Sequence, residues 1–309
     1  MNGIVLLNQL LVLLALMATG FIAYKTNLLD DKAHAKLSSF LIWVLNPILL
    51  LDGVIGKDKT VSGTLLWQNV VLVSLLYLCF FLLGFVYIFL FKCKGKEAYM
   101  YRMIVLFPNV GFMGIPLVKE LFGSEYIVLV AFYMFAFNVL CYTYGVRLAQ
   151  KMGGTKEKIN LKKLINPGTV GSVLAILIFF LHIPIPGPAV SYLDYMGDTT
   201  IAISMIVVGI SLAQVDWKVG FNSPKYYIFL LVDMFVFPLI LVLLSKLLPF
   251  DENVLGVFKI MACMPVGSLT CMISKEYGGD GNEVAKYIAL STLTTVISAP
   301  VVIWVSSLL

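Results

Sequence analysis

Two short stretches hold the residues whose types and spacing suggest chemistry. Phe107 to Val118 reads FPNVGFMGIPLV and sets Pro108, Asn109, Gly111, Gly114 and Pro116 inside an apolar run that begins near Met103. Met264 to Asp280 reads MPVGSLTCMISKEYGGD, with Pro265, Gly267, Ser268 and Thr270 at its start. A proline in such a run removes a backbone donor and clashes with the preceding turn, so Pro108, Pro116 and Pro265 should unwind or kink a helix. Gly111, Gly114 and Gly267 let the opened backbone pass close to a neighbour. The N-terminus of a half-helix presents unpaired N–H groups and roughly half a positive charge, which suits an anion. Asn109 can donate to a carboxylate and accept from a hydroxyl, and Ser268 and Thr270 offer hydroxyls beside the second break. The expected chemistry is recognition of a small anionic substrate.

The elements that must position these residues lie in a membrane. The chain has 309 residues, 60% hydrophobic and 13% charged, with a mean hydropathy of +0.96, which places it among integral membrane proteins. A helical span needs roughly 20 apolar residues. Ten runs qualify, at about 4–24, 37–55, 64–91, 99–121, 125–149, 167–183, 192–213, 224–248, 254–275 and 282–307. The first has no basic residue ahead of it and no small-residue cleavage site, so it reads as a retained span rather than a signal. The expected fold is an all-α polytopic membrane protein of ten transmembrane helices.

The longest polar connection, 150–166, divides the chain into a five-helix repeat at 1–149 and another at 167–309. Five spans per half require the second half to be inverted relative to the first. The two proline-broken stretches fall in the fourth span of each half, and each runs from Pro through Gly to Lys-Glu and Gly. Interrupted helices at matching places in inverted halves point to a transporter's binding site near the midplane. The bland alternative is a pair of ordinary proline kinks with small residues at helix contacts. Of the 22 Lys and Arg, 17 fall in the connections after spans 1, 3, 5, 7 and 9. Those connections are expected in the cytoplasm, which puts both termini outside the cell membrane. The net charge of +5 thus serves orientation and implies no nucleic-acid partner.

The stretch Leu106 to Gly123 resembles the fourth span of the auxin efflux carrier family, which contains the plant PIN carriers and many bacterial permeases. Met264 to Asp280 and Ser291 to Trp304 (STLTTVISAPVVIW) resemble its ninth and tenth spans. Val207 to Ala213 (VVGISLA) and Phe137 to Leu148 (FNVLCYTYGVRL) look like its seventh and fifth. The resemblance implies a 5+5 inverted repeat in which broken helices 4 and 9 cross. It also implies a scaffold of spans 1, 2, 6 and 7, an elevator-like transport unit of spans 3–5 and 8–10, and a homodimer. The family's site residues carry over to Pro108, Asn109 and Pro265. Malate or malonate are the kind of carboxylate that bacterial members imply.

Other polar residues leave alternatives open. Asp233 is the one acid placed well inside a span, where an ionisable residue is costly and a functional candidate. It is a possible coupling group for a proton or cation; a neutral form, or a pairing with Lys218, is the alternative. The family often has a basic residue here, five before the span's proline, Pro238, and no counterpart of the PIN carriers' span 3 acid is present beyond Gln68 and Asn69. Asn138 flanks the expected crossover, and Asn46 in the second span reads as helix-to-helix glue. Asp194 and Asp198 are expected to face water. The five cysteines, with no CxxC pair, read as reduced small hydrophobes, and His34 and His182 read as interfacial rather than as metal ligands. No cofactor is implied, nor a phosphate-binding glycine loop. The leading reading is a secondary transporter of a small organic anion. The alternatives are an intramembrane aspartyl protease built on YGGDGN (Tyr277 to Asn282), which lacks a paired acid, and a channel or sensor, which lacks a filter repeat.

Overall fold

The computed structural model describes residues 3–55, 61–155, 161–181, 185–215 and 223–308. Among them it is helical throughout, with no strand. In chain order the helices are α1 (Gly3–Lys25), α2 (Asp31–Asp52), α3 (Gly63–Leu90), α4 (Lys96–Leu106), α5 (Ile115–Phe122), α6 (Ser124–Gly153), α7 (Pro167–Leu181), α8 (Gly187–Gln214), α9 (Pro224–Ser245), α10 (Glu252–Ala262), α11 (Leu269–Glu276) and α12 (Gly281–Leu308). Lys218 and His182 lie outside the described residues.

Seven of these, α1, α2, α3, α6, α8, α9 and α12, are each long and apolar enough to cross a membrane. The other three runs read from the sequence depart from that length for local reasons. α7 is apolar, and its described part is 15 residues, about 22 Å against the roughly 30 Å of a hydrocarbon core. The fourth run divides into α4 and α5, and the ninth into α10 and α11, at the proline-bearing stretches.

Three wide π turns have the same cause. Leu41–Leu45, Val110–Gly114 and Val232–Val236 precede Pro47, Pro116 and Pro238. In each case the carbonyl four residues before the proline, at Trp43, Phe112 or Met234, falls inside the turn. Widening the helix there relieves the ring's clash with that carbonyl and absorbs the missing N–H. A fourth, Cys141–Gly145, has no proline; there Gly145 lies against the Phe107 ring, where a Cβ would sit 2.9 Å from Cε2.

Packing gathers the helices into two bundles. α1 lies along α8, and the second half of α2 packs on α7 and α8. Gly20 and Gly209 make the α1–α8 contact close, since a Cβ on either would overlap the other helix's main chain. In the second bundle α3 packs on α4 and α10, α4 on the end of α6, α9 on α12, and α11 on α12 and α6. The bundles meet where α6 touches α7 and α1 touches α12.

All five cysteines are free. Cys93, in the turn between α3 and α4, is buried, and burial pushes its thiol up to about 11, with Glu97 adding to the shift. Since only the thiolate reacts, alkylation of Cys93 by a permeant maleimide should be very slow at pH 8 and accelerate as the pH rises toward 11. Mass spectrometry of timed samples reads that rate.

Candidate functional site

The two helix breaks are bonded to each other. α4 ends at Leu106, and Phe107 and Asn109 leave the helical conformation. Between α10 and α11, residues 263–268 open in the same way. The amide of Asn109 donates to the Pro265 carbonyl at 2.7 Å, and the amide of Gly267 donates to the Phe107 carbonyl at 2.8 Å. Pro108 and Val266 form the antiparallel bridge between them. Neither proline is asked for a donor: Pro265 uses only its carbonyl, and Pro108 occupies the bridge position that makes no ladder bond. The amide of Val266 is taken by Ser291 Oγ of α12 at 3.1 Å. Backbone groups freed in an apolar interior are thus satisfied within the protein.

The close approach requires glycine at 267, because a Cβ there would lie 2.8 Å from the Phe107 carbonyl oxygen. Thr270 Oγ1 donates to the Gly267 carbonyl at 2.6 Å and fixes the turn into α11. Asn109 Oδ1 accepts from the Phe112 amide at 3.3 Å, capping the turn Val110–Gly114.

Three buried polar atoms near the bridge have no partner among the described residues: Asn109 Nδ2, Ser268 Oγ and Asn46 Oδ1. Their residues all line one crevice of about 70 Å³, room for about two waters. A buried donor or acceptor left unpaired costs about 1–3 kcal/mol, so three around one crevice mark a place for a polar guest. The crevice shares Ile42, Phe112, Ser268 and Met272 with a cavity of about 580 Å³ between α2 and α8 on one side and α11 and α12 on the other. That volume is in the range of small-molecule sites. His34, Lys275 and Lys286 line it, and no carboxylate does among the described residues.

A family model described as membrane transport protein matches residues 5–303. The chain belongs to the membrane transport protein family. The resemblance of its motifs to auxin efflux carriers therefore holds across the chain. An uncharacterised transporter of Methanocaldococcus jannaschii is 23% identical over 296 residues, 93% of this chain and 94% of its own. A Rhizobium meliloti protein named "Putative malonate transporter" is 22% identical, covering 89% of each chain. An uncharacterised transporter of Escherichia coli K12 is 22% identical over 98% of each.

In this membrane transporter, Pro108, Asn109, Gly111, Asn138, Gly267 and Ser268 line the crevice together. Pro265, Gly114 and Thr270 do not line it and instead hold the break: Gly114 admits Met261, whose Cε would be 2.9 Å from a Cβ. Asn138 Nδ2 donates within its own helix to the Met134 carbonyl at 2.8 Å. Asp233 lines neither cavity; it is buried in the π turn of α9, its Oδ1 without a partner among the described residues. Asn69 binds the Leu129 carbonyl and Gln68 the Asp251 amide, both structural contacts. Asp280 of YGGDGN accepts from the Glu283 amide at the start of α12.

Asn46 is the residue that sequence reasoning undervalued. Its place one residue before Pro47, at the end of a π turn, was the available signal. Lys275 and Lys286 read in the sequence only as loop charges, because nothing local says that α11 and α12 turn them toward the same cavity as His34.

The bridge depends on Ser291. Ser291→Ala should leave the Val266 amide unpaired at a cost of about 1–3 kcal/mol, lowering the melting temperature of the purified protein, and Ser291→Thr should recover most of it. Gly267→Ala should destabilise at least as much, because its Cβ meets main chain that cannot move aside.

Proposed function

We propose that the protein is a secondary active transporter of a small organic anion, a carboxylate of the malonate or malate kind, working by alternating access around the bonded breaks. The observation that carries this reading is the pairing of two interrupted helices with unpartnered Asn109 Nδ2 and Ser268 Oγ, beside a cavity lined by His34, Lys275 and Lys286. Two hydrogen-bond donors, with the exposed Lys275 ammonium on the approach, suit a carboxylate; Lys286 beside it is paired with Glu283. The relative named for malonate supports the same class.

In this reading α4 with α5, and α10 with α11, are the fourth and ninth of ten spans and cross at their breaks, and α7 is the sixth. Residues 1–149 and 167–309 are the inverted repeats joined by the cytoplasmic linker 150–166. The bundle of α1, α2, α7 and α8 is a scaffold, through which two copies pair in the cell membrane with their termini outside. The other bundle carries the site across as an elevator. Asp233, buried in that second bundle and away from both cavities, is the candidate for coupling to a proton and not a substrate ligand.

Uptake of labelled malonate and malate into proteoliposomes tests the proposal. Saturable uptake is expected, falling at least tenfold in Asn109→Ala; linear flux would favour a channel, and no uptake of either acid would sink the substrate class. Asp233→Asn should leave substrate affinity unchanged while flattening the dependence of uptake on pH. A pH-independent wild type with an unaffected Asp233→Asn variant would remove this acid from the mechanism.

A further inference from the structure

The interface between the two bundles is open at one end and shut at the other. α2 and α8 border it along their lengths. At one end His34 and Ser38 of α2, with Ser211 and Gln214 of α8, line the 580 Å³ cavity. Asp52 closes α2 at the opposite end, about 27 Å from His34 along the helix at 1.5 Å per residue. Asp198 stands on α8 beside it, and Lys119 of α5, from the other bundle, reaches both. Lys119 Nζ lies 2.9 Å from Asp52 Oδ2 and 2.9 Å from Asp198 Oδ1. The Asp52 side chain is 1% exposed and that of Lys119 12%, against 74% for Asp198. Asp198, expected from the sequence simply to face water, does so while holding Lys119. Gly197 makes the seat for Asp52, since a Cβ there would lie 2.6 Å from Asp52 Oδ2.

We propose that Asp52, Lys119 and Asp198 form a latch that keeps this end closed while the cavity is open at the other, and that the latch must part for the site to change sides. This rests on the alternating-access reading. Lys119 follows the Asn109 break on the same short segment, Val110–Gly114 continuing as Ile115–Phe122. A displacement of that segment along α2 and α8 by more than a few ångströms therefore takes Nζ out of reach of Asp52. A largely buried pair resists such separation because parting it removes the attraction that offsets the desolvation of both ions. The exposed Asp198 contributes less, its field being screened by water. An element with two arrangements, one of them favoured by a buried ion pair, sets the population of each without touching the substrate. By the distribution of basic connections the latched end is the outer one, and the resting transporter faces the cytoplasm.

The test uses the full-length protein in nanodiscs, without substrate, and a membrane-impermeant thiol reagent read at each cysteine by mass spectrometry. Cys271 lines the open cavity. Ile127→Cys supplies a reporter at the latched end: Ile127 is fully buried in α6, and its Cγ2 would be 2.6 Å from a Cβ on Gly53, next to Asp52. In Lys119→Met, labelling of Cys271 should slow at least fivefold while labelling at position 127 speeds up by a similar factor. The pair Lys119→Met with Asp52→Asn removes both charges of the buried pair together, so it keeps the test open if the single variant fails to fold, and it should shift both rates in the same directions. Lys119→Arg should behave as the wild type. Unchanged rates at both positions, in protein that melts normally, would overturn the latch and leave the transport reading intact; so would faster labelling at both, which means that the triad only holds the fold together. Failure of carboxylate uptake, measured separately, bears on the substrate and not on these rates.

Discussion

Two backbone hydrogen bonds, Asn109 to Pro265 and Gly267 to Phe107, are the contacts on which the rest of the structure depends. An interrupted helix in an apolar interior exposes donors and acceptors that neither lipid nor side chains of the leucine type can satisfy. Here each interruption supplies what the other lacks. The two breaks must therefore lie together, which fixes α4, α5, α10 and α11 as one unit and draws in α12 through Ser291.

The same constraint leaves a polar remainder. Once the main chain is paired, Asn109 Nδ2 and Ser268 Oγ have no partner among the described residues, and Asn46 on α2 lines the same crevice with an oxygen likewise unpaired among them. Asn109 and Ser268 belong to one bundle and Asn46 to the other. A guest held by all three touches both bodies, so its binding and their relative position are linked by the same free energy. Asp233 stands apart from this arrangement: it lines neither the crevice nor the larger cavity.

Both ends of the bundle interface carry charge, but in different settings. At the cavity end the charged lining is Lys275, which is exposed, and Lys286, which is paired with Glu283 at 3.2 Å. At the other end Lys119 bridges α5 to α2 and α8 through the buried Asp52 and the exposed Asp198.

The membrane class, the helical runs, their order and both breaks were legible in the sequence, because hydropathy and proline act locally and along the chain. Pro108, Asn109, Pro265 and Gly267 stood out for that reason. Run boundaries were less legible: 99–121 and 254–275 each divide into two helices, and 37–55 begins earlier, at Asp31. Only the tertiary structure decided that the breaks bond to each other, that Thr270, Gly114 and Pro265 support the crevice rather than line it, that Asn46 Oδ1 is without a partner among the described residues, and that Lys119 meets Asp52 and Asp198. These are pairings between residues tens to hundreds of positions apart, and what sets them is the shape of packed helices, which local propensity does not encode.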